Sequence, residues 1–224
     1  MTFSIAARCN RTGHFAVAVA SSSPSVAARC AHIRPGIGAA TTQNLTDPRL
    51  GPRGLDLMAL GADAAQVRAV LAATAPDAAY RQFTLIDAGG RTAVFSGARA
   101  LGTHGEAQGR NVVSAGNLLA HSAVPWEIVA AFEESETLDL GDRVLQAMAA
   151  GLASGGETGP IRSAGLLLSG DVAWPIADLR IDWHDEPLAA LADLWALWKP
   201  QMDVYVTRAL NPGAAPPQVP PGDE

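Results

Sequence analysis

Thr2-Phe3-Ser4-Ile5-Ala6-Ala7-Arg8, with Cys9 and Asn10 after it, alternates strictly: Phe3, Ile5, Ala7 and Cys9 fall on one face, Thr2, Ser4, Ala6 and Arg8 on the other. A period of two is the signature of a strand with one apolar side. Arg11-Thr12-Gly13 reads as a turn, and residues 14–20 return as an almost wholly apolar strand of the kind buried on both faces. The chain thus opens as a hairpin whose first residues are built into a core strand. Chain ends ordinarily fray into solvent, so a terminus placed there needs a packing reason or a chemical one.

A chemical reason is available. Initiator methionine is normally trimmed when a small residue follows, which would leave Thr2 with a free amine and a hydroxyl on adjacent carbons. The α-amine, with a reference pKa of about 7.7 to 8.0, is poised to act as a general base near neutral pH. Threonine activated by its own N-terminal amine is an established nucleophile and base pair. Against this stands the plain reading that many chains begin Met-Thr with no catalytic meaning.

The 224 residues suffice for one large domain, predicted to span 1–212, with a disordered proline-rich tail over 213–224. The composition is 48% hydrophobic and 17% charged, as expected of a soluble globular chain with both helices and strands. A net charge of −6, from 16 basic and 22 acidic residues, argues against a nucleic-acid partner. No apolar run reaches the roughly 18 residues of a transmembrane helix and no signal peptide is evident, so no membrane association and a cytoplasmic location are expected. Cys9 and Cys30 have neither metal-ligand nor disulfide-framework spacing and read as small core residues. His14, His32, His104 and His121 lack paired helical spacing, so neither a metal nor any other cofactor is expected. Lys199 is the only lysine, and it lies far in sequence from the opening hairpin.

Further along, Ser21-Ser22-Ser23-Pro24-Ser25 is either a turn or a set of hydroxyls brought beside Thr2 by antiparallel pairing. Residues 29–35 read as a connection and 36–43 as a third strand. Gly36-Ile37-Gly38 lacks the helix and acidic residue of a dinucleotide loop. Gln43 and Asn44 open a loop through Gly51-Pro52-Arg53-Gly54 that reads either as a substrate-binding segment or as a helix entry. Helical periodicity covers 54–60, 64–74, 126–134 and 138–153, while strands are predicted over 82–86, 91–96, 111–115, 163–168 and 174–182. Asp87-Ala88-Gly89-Gly90 is a hairpin turn. Asn117 sits at a strand end, where it either caps the next helix or offers an amide donor to an oxyanion. Asp185 and Pro187 read as the cap and first turn of a further helix.

Antiparallel pairs alternating with helical pairs suggest an α+β fold of two stacked, mainly antiparallel sheets with helices outside. Thr2-Phe3-Ser4-Ile5, the strand through Ser21, Gly36-Ile37-Gly38-Ala39, Thr42-Gln43, Gly51-Pro52-Arg53-Gly54-Leu55 and Gly116-Asn117 together resemble an uncharacterised bacterial family placed in the N-terminal nucleophile (Ntn) hydrolase superfamily. The resemblance implies a four-layer αββα sandwich and amide hydrolysis by the mature N-terminal residue. It implies Thr2 as nucleophile and Asn117 as oxyanion donor, with Ser22 and Gln43 as polar support; Asn44 and Arg53 come from the loop reading, as groups placed to hold a substrate carboxylate or amide. Proteasome-like members carry an acidic residue after the second strand and a lysine after the third. Serines and Thr41-Thr42-Gln43 stand there instead, which weighs against a ring-forming threonine peptidase. Two readings remain: an amidohydrolase cleaving a small-molecule amide or imide, or a catalytically silent binding or assembly module, either one possible as a homodimer.

Overall fold

The opening hairpin becomes the middle of a sheet. In the computed structural model, which describes residues 1–216, β1 (Thr2–Arg8) pairs antiparallel with β2 (Phe15–Ser21) on one side. A short α1 (Ala27–Cys30) leads into β3 (Ala31–Arg34) and β4 (Gly38–Asn44), followed by α2 (Leu50–Ala59) and α3 (Ala64–Thr74). The chain continues through β5 (Arg81–Asp87), β6 (Thr92–Ser96), β7 (Gly105–Gly109), β8 (Val112–Asn117), α4 (Val124–Glu134) and α5 (Leu140–Ala153). It closes with β9 (Ser163–Ser169), β10 (Pro175–Ile181), α6 (Pro187–Trp198) and α7 (Met202–Leu210).

The strands form a six-stranded sheet in the order β10-β9-β2-β1-β8-β7 and a four-stranded sheet in the order β3-β4-β5-β6, antiparallel throughout. Three apolar clusters define the layers. Phe3, Ile5 and Ala7 of β1 turn outward against Ile128, Phe132, Val144, Met148 and Leu191 of α4, α5 and α6. Ala40, Phe83 and Leu85 of the second sheet pack under Leu55, Met58, Val67 and Leu71 of α2 and α3. Between the sheets lie Ala6, Phe15, Val17, Ile86, Val113 and Leu167. The result is the αββα sandwich expected from the alternation of antiparallel and helical pairs.

Local chemistry explains two element ends directly. Asp63 caps α3 in a reciprocal box: Gln66 N–H donates to Asp63 Oδ1 at 2.8 Å, and Asp63 N–H to Gln66 Oε1 at 2.9 Å. The Asp87 carboxylate accepts from Gly89 and Arg91 N–H at 2.9 and 3.1 Å, closing the β5–β6 turn around Gly90 at φ +80°.

Several expectations are corrected. Residues 29–35 contain the end of α1 and all of β3 rather than a simple connection, and residues 105–109 form a strand. For Gly51-Pro52-Arg53-Gly54 the helix-entry reading is the one that holds, since the four residues lie in the first half of α2. Proline is tolerated in a first helical turn, and Gly51 is there for close approach, since a Cβ would fall 2.1 Å from His32 Cδ2. Asp185 is not the cap of α6; Glu186 holds that position without a side-chain bond, and Asp185 instead pairs with Arg162. Asn117 caps no helix, because α4 begins at Val124. Of the expected tail, Pro212–Ala214 is a 3-10 turn, and residues 217–224 lie outside the described residues. Among the described residues no helix is long and apolar enough to cross a membrane.

Candidate active site

Thr2 lies where β1 is flanked by the ends of both neighbours. It pairs directly with Asn117 of β8, and the β1–β2 register sets it beside Ser21, which in turn pairs with Ser163 of β9. Side chains directly across adjacent strands share a face, so Ser163, Ser21, Thr2 and Asn117 form a polar row facing the second sheet. All are buried, Thr2 at 6% exposure. Thr2 Oγ1 is 3.3 Å from Ser21 Oγ, and both hydroxyls donate to the Met1 carbonyl oxygen. The Met1 side chain lies over Thr158, whose hydroxyl donates to Sδ at 3.6 Å, and against Gly159. Methionine thus occupies the space in front of both hydroxyls.

Beneath this row the sheets are joined by amides. Ser4 donates to Gln43 Oε1 at 2.7 Å; Gln43 Nε2 donates to Gln82 Oε1 at 2.8 Å and to the Ala115 carbonyl at 3.0 Å. Gln82 Nε2 reaches Ser96 Oγ and the Gly116 carbonyl at 2.9 and 3.1 Å, and its Oε1 also accepts from Asn117 Nδ2 at 3.1 Å. Asn117 is held by this clamp, yet its Oδ1 is buried with no partner among the described residues. One of its two amide hydrogens is committed to Gln82, which leaves the other free to donate.

Glu157 completes the surroundings, and the sequence reading missed it. It follows the Gly155-Gly156 break after α5, bridges Leu119 through its backbone, and is 5% exposed. Its Oε2 accepts from Ser22 N–H at 3.2 Å, while Oε1 is buried without a partner. Burial pushes the carboxyl up to about 7, opposed by the nearby N-terminal ammonium and the Ser22 bond. The only signal in the sequence is an ionisable residue inside a Gly/Pro-rich break between core elements. A cavity of about 350 Å³ flanks Glu157, lined also by Leu152, Pro160, Ile161, Asp185 and Leu188. A different cavity of about 470 Å³, with Arg8, His14 and Asp171, sits at the opposite end of β1.

The structure therefore brings together Thr2, Asn117 and Gln43 from the expected set and separates the others. Ser22 contributes its backbone N–H to Glu157, and the hydroxyl beside Thr2 belongs to Ser21. Asn44, left-handed at φ +70°, ties loops at the end of the second sheet, donating to the Tyr80 carbonyl at 2.5 Å and accepting from Leu101 N–H at 3.2 Å. Arg53 lies in the helical layer outside the second sheet, donating to Thr74 Oγ1 at 2.7 Å. Arg29 holds its own loop through the Pro24 and Ser25 carbonyls, and His184 Nδ1 accepts from Glu186 N–H at 3.0 Å. Among the described residues no group of three or more His, Cys, Asp and Glu is placed to hold a metal ion.

Comparison with known proteins bears on the fold and the family. A crystal structure of a DUF1028 protein from Silicibacter pomeroyi superposes with a TM-score of 0.81 at 27% identity, over 88% of each chain. Anbu, an ancestral β-subunit from Yersinia bercovieri, aligns over 92% of this chain and 97% of its own, with a TM-score of 0.41 and 14% identity. No curated protein matches the chain. The model of a family of unknown function, DUF1028, matches residues 2–191, from the threonine at the head of β1 into α6, and the chain belongs to that family.

Proposed function

We propose that the protein is an Ntn-type amidohydrolase that cleaves a small-molecule amide or imide C–N bond with Thr2 after removal of Met1. The observation that carries this reading is the burial of Thr2 at the head of a central strand, between Ser21 and Asn117, with the Met1 carbonyl accepting from both hydroxyls. A residue that served only to begin a strand would need no such polar row around it.

The chemistry runs as follows. Thr2 Oγ1 attacks the carbonyl carbon while the α-amine takes the hydroxyl proton; the ammonium then delivers that proton to the leaving nitrogen as the C–N bond breaks. Water attacks the resulting ester, losing its proton to the amine, and the acyl group leaves as a carboxylic acid while Thr2 recovers its hydroxyl hydrogen. The uncommitted N–H of Asn117 supports negative charge on the carbonyl oxygen. Ser21, whose Oγ accepts from the Thr2 hydroxyl at 3.3 Å, orients that hydroxyl, and the Gln43–Gln82 clamp keeps Asn117 in place. Ser22 supports through its backbone; Asn44 and Arg53 sit too far out in the fold to be proposed as contacts in this site.

Intact-mass analysis and labelling by a threonine-directed electrophile test the reading together. Processed protein should label at Thr2, and Thr2→Ala should not label at all. Full retention of Met1 in protein that turns over an amide would overturn the proposal. The second reading, a silent binding module, rests on the commitment of Asn117 Nδ2 to Gln82 and the lack of a basic side chain in the polar row. It is favoured if processed wild-type protein fails to label.

A further inference from the structure

Among the described residues three carboxylates are deeply buried, Asp47, Asp87 and Glu157. Two are fully employed: Asp47 is clasped by the Arg49 guanidinium at 2.8 Å, and Asp87 by Arg91 together with the N–H groups of Ala64, Gly89 and Arg91. Glu157 has a single backbone donor on one oxygen and none on the other. A carboxylate held this way is costly unless something further comes to it.

The strand ends show what that is. The Glu157 backbone bridges Leu119, just past Asn117 at the end of β8, and its carboxylate accepts from Ser22, just past Ser21 at the end of β2. Because β1 runs between β2 and β8, Glu157 links the two strand ends that flank the head of β1. The Met1 ammonium, one residue before Thr2, favours the ionised carboxyl through space.

We propose that Glu157 is the positioning residue of the Thr2 amine: once Met1 is gone, its carboxylate faces that amine across the head of β1, orients it toward the Thr2 hydroxyl, and steadies the ammonium formed when the hydroxyl proton is taken. The inference rests on the Thr2 reading above. In the step it supports, the Thr2 O–H bond breaks, an N–H bond forms, and the carboxylate stays ionised throughout. Nucleophile, base and a third group that orients the base recur on unrelated folds because an unsupported base neither points correctly nor tolerates its charge.

Other ionisable groups near Glu157 are Asp185 and Glu186 before α6, with Arg162 paired to Asp185, and His121, which lies beside Gly155 and is bonded to the Ser154 carbonyl. Of the charges around it, the N-terminal ammonium is the one that favours the ionised form of Glu157.

The experiment follows the ¹³C shift of Thr2 Cα against pH in processed protein, with removal of Met1 verified by mass, for wild type, Glu157→Gln and Glu157→Asp. Loss of the carboxylate should lower the amine midpoint by about one pH unit or more, with Glu157→Asp falling between. An unmoved midpoint in folded Glu157→Gln overturns the proposal, even if that variant melts earlier, because a merely structural role would lower the melting temperature alone. Should Glu157→Gln not fold, wild type decides: Thr2 Cα and Glu157 Cδ must each report the same two titration steps, and an independent single step at either carbon refutes the pairing. The measurement needs no turnover. A lowered midpoint in protein that never labels at Thr2 would keep the pairing and sink the nucleophile.

Discussion

The space between the two sheets has two ends, built from the same strands in opposite chemistry. Reading inward-facing residues away from the site, β1 passes from Thr2 and Ser4 to Ala6, β4 from Gln43 and Thr41 to Ala39, β5 from Gln82 and Thr84 to Ile86, and β8 from Asn117 to Ala115 and Val113. At the far end Phe15, Val17, Val94 and Leu167 complete an apolar cluster. Apolar contact is non-directional and tolerates small shifts, whereas each buried amide must meet a partner at hydrogen-bond distance. The apolar end therefore holds the sheets together, and the polar end sets how they face each other. At the polar end two acceptors, Asn117 Oδ1 and Glu157 Oε1, have no partner among the described residues; Asn117 pairs with Thr2, and Glu157 feels the charge of the Met1 ammonium.

This contrast can be broken by mutation. The largest effect expected is on chemistry: Thr2→Ala in processed protein should reduce labelling or amide turnover at least about 10³-fold, with little change in the urea midpoint. At the apolar end, Phe15→Ala should cost roughly 3 to 5 kcal/mol of stability, read from denaturant unfolding, while the labelling rate per folded molecule is retained. Next comes Glu157 in the unprocessed chain. Its carboxyl titrates near 7 when folded against an ordinary 4.5, so between those values the folded state keeps a proton that the unfolded chain has released. Stability should therefore fall as pH rises through that window, by up to about 3 kcal/mol, and level off above it. Glu157→Gln should flatten the slope, and a wild-type midpoint that climbs from pH 4.5 to 7 would contradict the assignment. Gln82→Ala strands Asn117 Nδ2 and one bond of Gln43; a loss of roughly 1 to 3 kcal/mol and slower labelling are expected together. Arg53→Ala, in the outer helical layer, should change stability by less than about 0.5 kcal/mol and leave labelling untouched.

How far such features can be read in advance depends on where an element lies. Strands at the centre of a sheet, such as β1, β2 and β5, carry dense apolar patterning and are legible. The overlooked β3 and β7 are both edge strands; β3 is only half-buried, and β7 is Gly105-Glu106-Ala107-Gln108-Gly109 with a single buried side chain. Gly51 and Gly54 imitate a loop because close packing against His32 and Leu85 demands the same small residue that a turn would. Of the two readings of that segment the helix entry holds, and it sets Arg53 on α2 in the outer layer.

By itself the sequence determined that Thr2 begins a core strand, that Asn117 ends another, and that antiparallel pairs alternate with helices. Those are properties of local periodicity and turn chemistry, which act over a few residues. Only the tertiary structure decided that Ser21 rather than Ser22 stands beside Thr2, because a shift of one residue in a strand turns a side chain to the opposite face and register is set between strands. Only it decided that Glu157, far along the chain, joins the ends of β2 and β8, since those contacts depend on where the two strands end together in space and on no pattern within either segment.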